Sequence, residues 1–267
     1  MLKDITLGQY FPGNTPVHRL DPRTKILLVL VYIVALFLCK WFVSYGLMAL
    51  FLVTAVVLSR IRPKALLRGL KPLLIIILFT SLLNLFFTDG EVLAQWWIFR
   101  ITKEGLTNAF FLVLRIMLLV MGTFLLTYTT SPIALTDGLE SLLSPLKRLH
   151  FPVHELAMMM SIALRFIPTL IEETDKIIAA QKARGADFET GNIFRRAKAL
   201  IPILVPLFVS AFRRADELAT AMECRCYHGG KGRTKLKQLR FGAADLTAML
   251  VSAAVLAGVI VLRCFGL

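Results

Sequence analysis

The chain has 267 residues, 57% of them hydrophobic and 18% charged, with a formal net charge of +14. Soluble domains carry about 45–50% apolar and about a quarter charged residues, so this composition excludes an ordinary soluble domain and makes an integral membrane protein the default. The cations gather in loops beside apolar runs instead of forming a soluble stripe interleaved with aromatics, which ties the charge to membrane topology and anionic lipid and argues against nucleic acid.

A bilayer core takes about 20 apolar residues as helix. Segments 26–42, 43–59, 73–87, 106–128 and 243–262 come close to that length. The first is interrupted late by Lys40; it and the third are short, so tilt and snorkelling must help them. No signal peptide is expected, because the first apolar run begins only near Ile26 and no small-residue cleavage site follows a short core. Asp21 followed by Pro22 is a good helix start, an N-cap acceptor before a proline that fits the first turn. The first membrane helix is therefore predicted to begin before the bilayer, with Arg23 and Lys25 among the lipid headgroups.

The loop bearing Arg60, Arg62, Lys64, Arg68 and Lys71 has no acid. The stretch 87–105 sets Asp89, Glu91 and Glu104 against Arg100 and Lys103. The first loop is accordingly predicted to be cytoplasmic and the second external, with the N-terminus cytoplasmic and the C-terminus external. Arg115 and Asn84 fall inside membrane helices. Neither has a carboxylate at matching depth, so an interhelical structural contact is expected of each rather than a proton relay.

Residues 131–241 are charged yet hold apolar stretches. Ser131 with Pro132 and Ser144 with Pro145 read as caps with proline in the first turn. Pro152 restarts the chain before a long helical segment, 153–184, which Gly185 ends by accepting the left-handed conformation. A second long segment opens at Gly191 and Asn192 and runs towards His228. The apolar parts, 156–171 and 199–212, are short for spans; the first holds Arg165, the second Pro202 and Pro206. Interfacial helices with charged ends projecting into water fit better than extra spans. The predicted architecture is an all-α integral membrane protein with about five transmembrane helices plus long amphipathic cytoplasmic coupling helices. Its parts are a membrane domain over 1–130, a coupling-helix module over 131–241 and a C-terminal transmembrane helix over 242–267.

The two long segments end alike. Asp175 precedes Arg184 by nine residues, and Asp216 precedes Arg225 by nine. The candidate binding residues are Ala183, Arg184 and Gly185 at the first tip and Cys224, Arg225 and Cys226 at the second. A late arginine is stabilised at any helix C-terminus. Two at matched spacing instead suggest a matched grip, since the guanidinium fork suits acidic or carbonyl-lined grooves on a partner. Cys226 stands where the first tip has Gly185. A cysteine is strained in the left-handed conformation, so the second helix is expected to run on to Gly229 with Arg225 on its last turn.

Other features carry less. His150, His154 and Glu155 resemble a metal-ligand spacing, but Pro152 interrupts them and a loop-and-cap role is expected. Met158, Met159 and Met160 suit core filling or an adaptable docking surface. Cys39, Cys224, Cys226 and Cys264 make neither a zinc pattern nor an evident disulfide. Neither a P-loop nor a GxSxG motif is present, so if ATP powers this system another chain binds it.

The opening Tyr10-Phe11-Pro12-Gly13-Asn14, with His18-Arg19-Leu20-Asp21-Pro22-Arg23-Thr24-Lys25, resembles the start of energy-coupling factor (ECF) transporter T components. Ala183-Arg184-Gly185 resembles the first Ala-Arg-Gly signature of that family. Cys224-Arg225-Cys226 falls where the second would be, departing from it at both flanks. The resemblance implies a non-catalytic subunit of a plasma-membrane importer. Its partners would be two cytoplasmic ABC ATPases, which carry ATP and magnesium, and a membrane S component that captures a vitamin or a metal ion. This chain would hold no cofactor or metal, and Arg184 and Arg225 would each seat in an ATPase groove. The alternatives are a T component for cobalt or nickel, a membrane metalloenzyme built on His150, His154 and Glu155, and a stand-alone secondary transporter, which would need a midplane site on broken helices.

Overall fold

The computed structural model describes residues 10–88, 91–96, 99–149, 151–188, 192–229 and 238–265. The helices in chain order are α1 (Pro16–Arg19), α2 (Pro22–Leu38), α3 (Phe42–Ser59), α4 (Pro63–Leu70), α5 (Leu74–Phe87), α6 (Lys103–Thr129), α7 (Pro132–Leu143), α8 (Val153–Ala183), α9 (Ile193–Cys224) and α10 (Ala243–Phe265). The strands β1 (Val92–Trp96) and β2 (Phe99–Thr102) form an antiparallel pair between α5 and α6. The architecture is all-α apart from this hairpin. The hairpin was not anticipated, because a short loop leaves no long hydrophobic alternation to read. The chain divides into two compact units, one holding 8–141 and 239–267, the other holding 142–238.

In the first unit, α2 starts as its residues dictate. The Asp21 carboxylate accepts from the Arg23 amide at 2.9 Å, and Pro22 occupies the first turn. The helix runs from Pro22 to Leu38 instead of over 26–42, with Cys39 as its extended C-cap. The third apolar segment is longer than expected. α4, a single 3-10 turn and α5 form a nearly continuous rod of 25 residues, Pro63–Phe87, because Pro72 falls in the 3-10 turn, where a proline breaks less. Thr102 caps α6. Its hydroxyl accepts from the Gly105 amide at 3.0 Å and donates to the Thr88 carbonyl at 2.8 Å, joining the ends of α5 and α6.

Tyr32, Leu36, Tyr45, Met48, Leu52, Leu118 and Val259 pack α2, α3, α6 and α10 around one core. Gly122 lets α2 and α6 close up, since a Cβ there would stand 2.4 Å from Tyr32 Cε1. Outside this core α3, α5 and α10 turn large apolar side chains outward, among them Val57, Ile75, Leu78 and Leu250. That surface is at home in lipid and not in water. Phe42–Ser59, Pro63–Phe87, Lys103–Thr129, Val153–Ala183 and Ala243–Phe265 are long and apolar enough to cross a membrane. α8, expected to be interfacial, meets this standard by length and composition while carrying the exposed Arg165 in its apolar part, and α2, expected as the first span, is not among these five.

Lys25 is not among the headgroups as expected. It is 5% exposed, and its ammonium donates to the carbonyls of Thr129 at 2.9 Å and His18 at 3.1 Å. Beside it the buried Asp245 accepts from the Asp21 amide and, through its other oxygen, from the Gly242 amide, each at 2.8 Å. Asp245 thus reaches back to the start of α10 as a helix-capping acid does, and fastens that start to the start of α2. Arg115 makes the interhelical contact expected of it. It donates to Tyr45 Oη at 2.9 Å and to the Cys39 carbonyl at 3.1 Å, closing the C-terminus of α2. Asn84 does not: its amide bonds back to the Thr80 carbonyl within α5, at 3.2 Å.

Asp245→Ala removes the shared acceptor and leaves the buried Asp21 amide unpaired. A loss of about 1–3 kcal/mol is expected. It should be visible as a lower unfolding midpoint in detergent, with Asp245→Asn losing less.

Candidate arginine tips

The second unit is built on α8 and α9. Both long segments form where the prolines, glycine and asparagine place them, α8 from Val153 and α9 from Ile193. Three prolines lie inside these helices, Pro168, Pro202 and Pro206. Each lacks an N–H and so frees the carbonyl one turn earlier. The Pro202 carbonyl, which Pro206 cannot serve, accepts instead from Gln181 Nε2 of α8 at 3.4 Å.

The helices are also tied by an acid that the sequence reading passed over. Glu173 of α8 accepts from Arg214 Nη2 at 2.9 Å with one oxygen and from the Ser210 hydroxyl with the other. Gln181 meets residue 202 while Glu173 meets 210 and 214, so α8 and α9 run antiparallel through this contact. Glu173 lies two residues before Asp175, and Arg214 two residues before Asp216. The ion pair therefore joins equivalent positions of the near-repeat. Each of its members is eleven residues from the arginine that ends its own helix. At 1.5 Å per residue each tip stands about 16 Å from the crossing, in opposite directions. The repeat of Asp and Arg was the signal available; extending it two residues upstream would have exposed the pair.

The tips themselves match. Arg184 is the C-cap of α8, with φ −85° and ψ 8°, and Arg225 is the C-cap of α9, with φ −92° and ψ 14°. Gly185 follows with φ +82° and Cys226 with φ +55°, both left-handed. The Gly185 amide donates to the Lys182 carbonyl at 3.0 Å and the Ala186 amide to the Gln181 carbonyl at 3.0 Å. At the second tip the Cys226 amide donates to Glu223 at 2.8 Å and the Tyr227 amide to Met222 at 3.1 Å. Both patterns are the Schellman arrangement that ends helices. The expectation that α9 would run on to Gly229 is therefore corrected, and Arg225 sits at the cap as Arg184 does. A left-handed non-glycine residue costs roughly 1–2 kcal/mol. Two amide-donated hydrogen bonds spanning the cap, and a 2.8 Å contact between His228 Nδ1 and the Cys226 carbonyl, offset that strain.

Ala183, Arg184, Gly185, Cys224, Arg225 and Cys226 are all exposed. Neither arginine forms an ion pair among the described residues. Further back on α9, Ile201, Leu204, Val205, Phe208 and Phe212 are exposed at helical spacing and make one apolar stripe. Met159 and Met160 of α8 are also exposed, so they do not fill a core. His150 lies outside the described residues, and His154 and Glu155 are half-buried at the start of α8. Among the described residues no three His, Cys, Asp or Glu side chains gather as metal ligands.

Residues 13–236 match the family described as cobalt transport protein (CbiQ). A Thermosediminibacter oceani protein named energy-coupling factor transporter transmembrane protein EcfT is 56% identical over 262 residues, covering 98% of this chain and 99% of its own length. Proteins of the same name are 56% identical in Ruminiclostridium cellulolyticum, over 92% of each chain, and 50% identical in Bacillus subtilis, over 97% of this chain and 98% of that one.

The left-handed cap makes its own prediction. Cys226→Gly should keep the amides of Cys226 and Tyr227 positions protected from hydrogen exchange, because glycine relieves the strain. Cys226→Val should speed exchange there by roughly ten-fold, since a β-branched side chain resists positive φ.

Proposed function

Because the chain belongs to the energy-coupling factor transporter transmembrane family, we propose that it is the coupling subunit of such an importer, carrying movement from two cytoplasmic ABC ATPases to a membrane S component. The observation that carries this reading is the pair of equally capped, exposed arginines equidistant from a pinned crossing. Each guanidinium seats in an acidic or carbonyl-lined groove of one ATPase, with ATP and magnesium held by those partners. This chain catalyses nothing itself.

The geometry supports a lever. Rigid helices do not absorb displacement by bending, and the Glu173–Arg214 pair with Ser210 holds them at one point. When the ATPases close on ATP, their grooves carry Arg184 and Arg225 with them, and the angle between α8 and α9 changes about the crossing. The apolar stripe on α9 shifts with it against the S component, which tilts and releases its vitamin inside. Such coupling needs two discrete arrangements of packed elements, biased at one end by nucleotide and at the other by the S component. The basic loop from Arg60 to Lys71 sets the arms and the N-terminus on the cytoplasmic side. The match to a cobalt transport family favours a second reading of the cargo, a cobalt or nickel ion. In either case the S component selects it.

Arg184→Glu combined with Arg225→Glu should cut recovery of both ATPases in a detergent pull-down by at least about ten-fold. Each single reversal should cost less, because the remaining contact keeps its partner at high effective concentration. Normal recovery with the double variant would remove the tips from the interface. Glu173→Ala should leave the ATPases bound yet slow ATP-driven uptake in proteoliposomes of the full complex. Unchanged uptake would show that the crossing is no pivot.

A further inference from the structure

A cavity of about 550 Å³ opens where the segment before α1 lies against the turn from α3 to α4. Arg60, Arg62, Lys64 and Arg68 line it, with Phe11 and Ile61 among its apolar residues. The four cations are exposed, and no carboxylate pairs with any of them among the described residues. Lys64 and Arg68 are four residues apart on one face of α4, a like-charge arrangement that destabilises a helix unless an anion sits between them. Arg60 stands at φ +53°, left-handed, and its amide donates a hydrogen bond to the Val57 carbonyl at 3.1 Å. Strain of this kind in a non-glycine residue gathers at binding sites. The start of α4 adds partial positive charge, since Arg62 gives it no side-chain cap.

The apolar side of the cavity decides what kind of anion fits. From the cationic rim the exposed Val57 and Val53 descend along α3, one turn apart, on the surface that faces lipid. Phe11, half-exposed, stands at the mouth. We propose that this cavity seats the phosphate of one anionic glycerophospholipid, its acyl chains lying along the Val53 and Val57 face of α3. A basic pocket between membrane helices is the setting in which such headgroups are held. The site lies in the membrane unit and is independent of the arginine tips.

The test is native mass spectrometry of the full chain in detergent, titrated with phosphatidylglycerol or with phosphatidylcholine of the same acyl chains. One phosphatidylglycerol should be retained at least about ten-fold more tightly than phosphatidylcholine, as several lysine and arginine contacts imply. Combining Arg62→Gln, Lys64→Gln and Arg68→Gln should abolish that preference at unchanged elution volume. Combining Lys147→Gln, Arg148→Gln and Arg240→Gln removes the same charge elsewhere and should leave it intact. If the triple variant does not fold, Arg68→Gln alone is read the same way. No preference in the native chain, a preference that survives in the cavity variant, or equal loss in the control overturns the proposal. Glycerol phosphate is the second arm. If it binds the lipid-free chain as tightly as phosphatidylglycerol and displaces it, the ligand is a soluble phosphate and the lipid assignment falls.

Discussion

The membrane unit hangs on one buried ammonium. Lys25 donates to the last turns of its neighbours, through the carbonyls of His18 and Thr129, and the nearby carboxylates of Asp245 and Asp21 offset only part of the cost of burying its charge. Enclosed in the protein, the ammonium has no water at hand to take over a lost hydrogen bond. The starts of α2 and α10 and the end of α6 are therefore held together at one membrane face. Arg115 does the same at the other end of α2, where a cation is favoured by the helix dipole and by the open carbonyl of Cys39. α2 is pinned at both ends, and its 17 residues can be short because neither end is left to find partners in lipid.

The other unit solves a different problem. Long helices with few buried residues must keep their shape without a surrounding core. α8 and α9 do so through one charged crossing and one borrowed carbonyl, and each ends in the same capped turn. Equivalent residues of the near-repeat meet at the crossing, which makes the two tips equal in reach. A pair of similar partners, acting together, would feel equal loads. The departure from glycine at Cys226 changes the chemistry of the second tip and not its backbone.

Much of this could be read from the chain. The apolar stretches within α2, α3, α5, α6 and α10, the start of α2 at Asp21 and Pro22, the limits of α8 and the cap at Gly185 all follow from apolar runs and from residues whose backbone preferences are local. That Arg184 and Arg225 end two long helices at matched spacing from Asp175 and Asp216 is likewise a pattern along the chain. The hairpin β1–β2 was missed because its strands are too short for periodicity to register. Lys25 was misplaced because its partners, Thr129 and Asp245, are distant in sequence. A lysine near a helix start is ordinarily a headgroup residue, and only packing reveals that this one is enclosed.

Residue type and spacing alone determined the class of protein, its helices and the two arginines, since each depends on side-chain hydrophobicity or on φ and ψ within a turn. Tertiary structure decided which charges face each other. It set Glu173 against Arg214 and Ser210, turned Arg115 to the end of α2 and buried Lys25. The reason is that electrostatic partnership and strain are settled by the free energy of the whole packed assembly. A local preference of roughly 1–2 kcal/mol yields to it when several hydrogen bonds pull the other way.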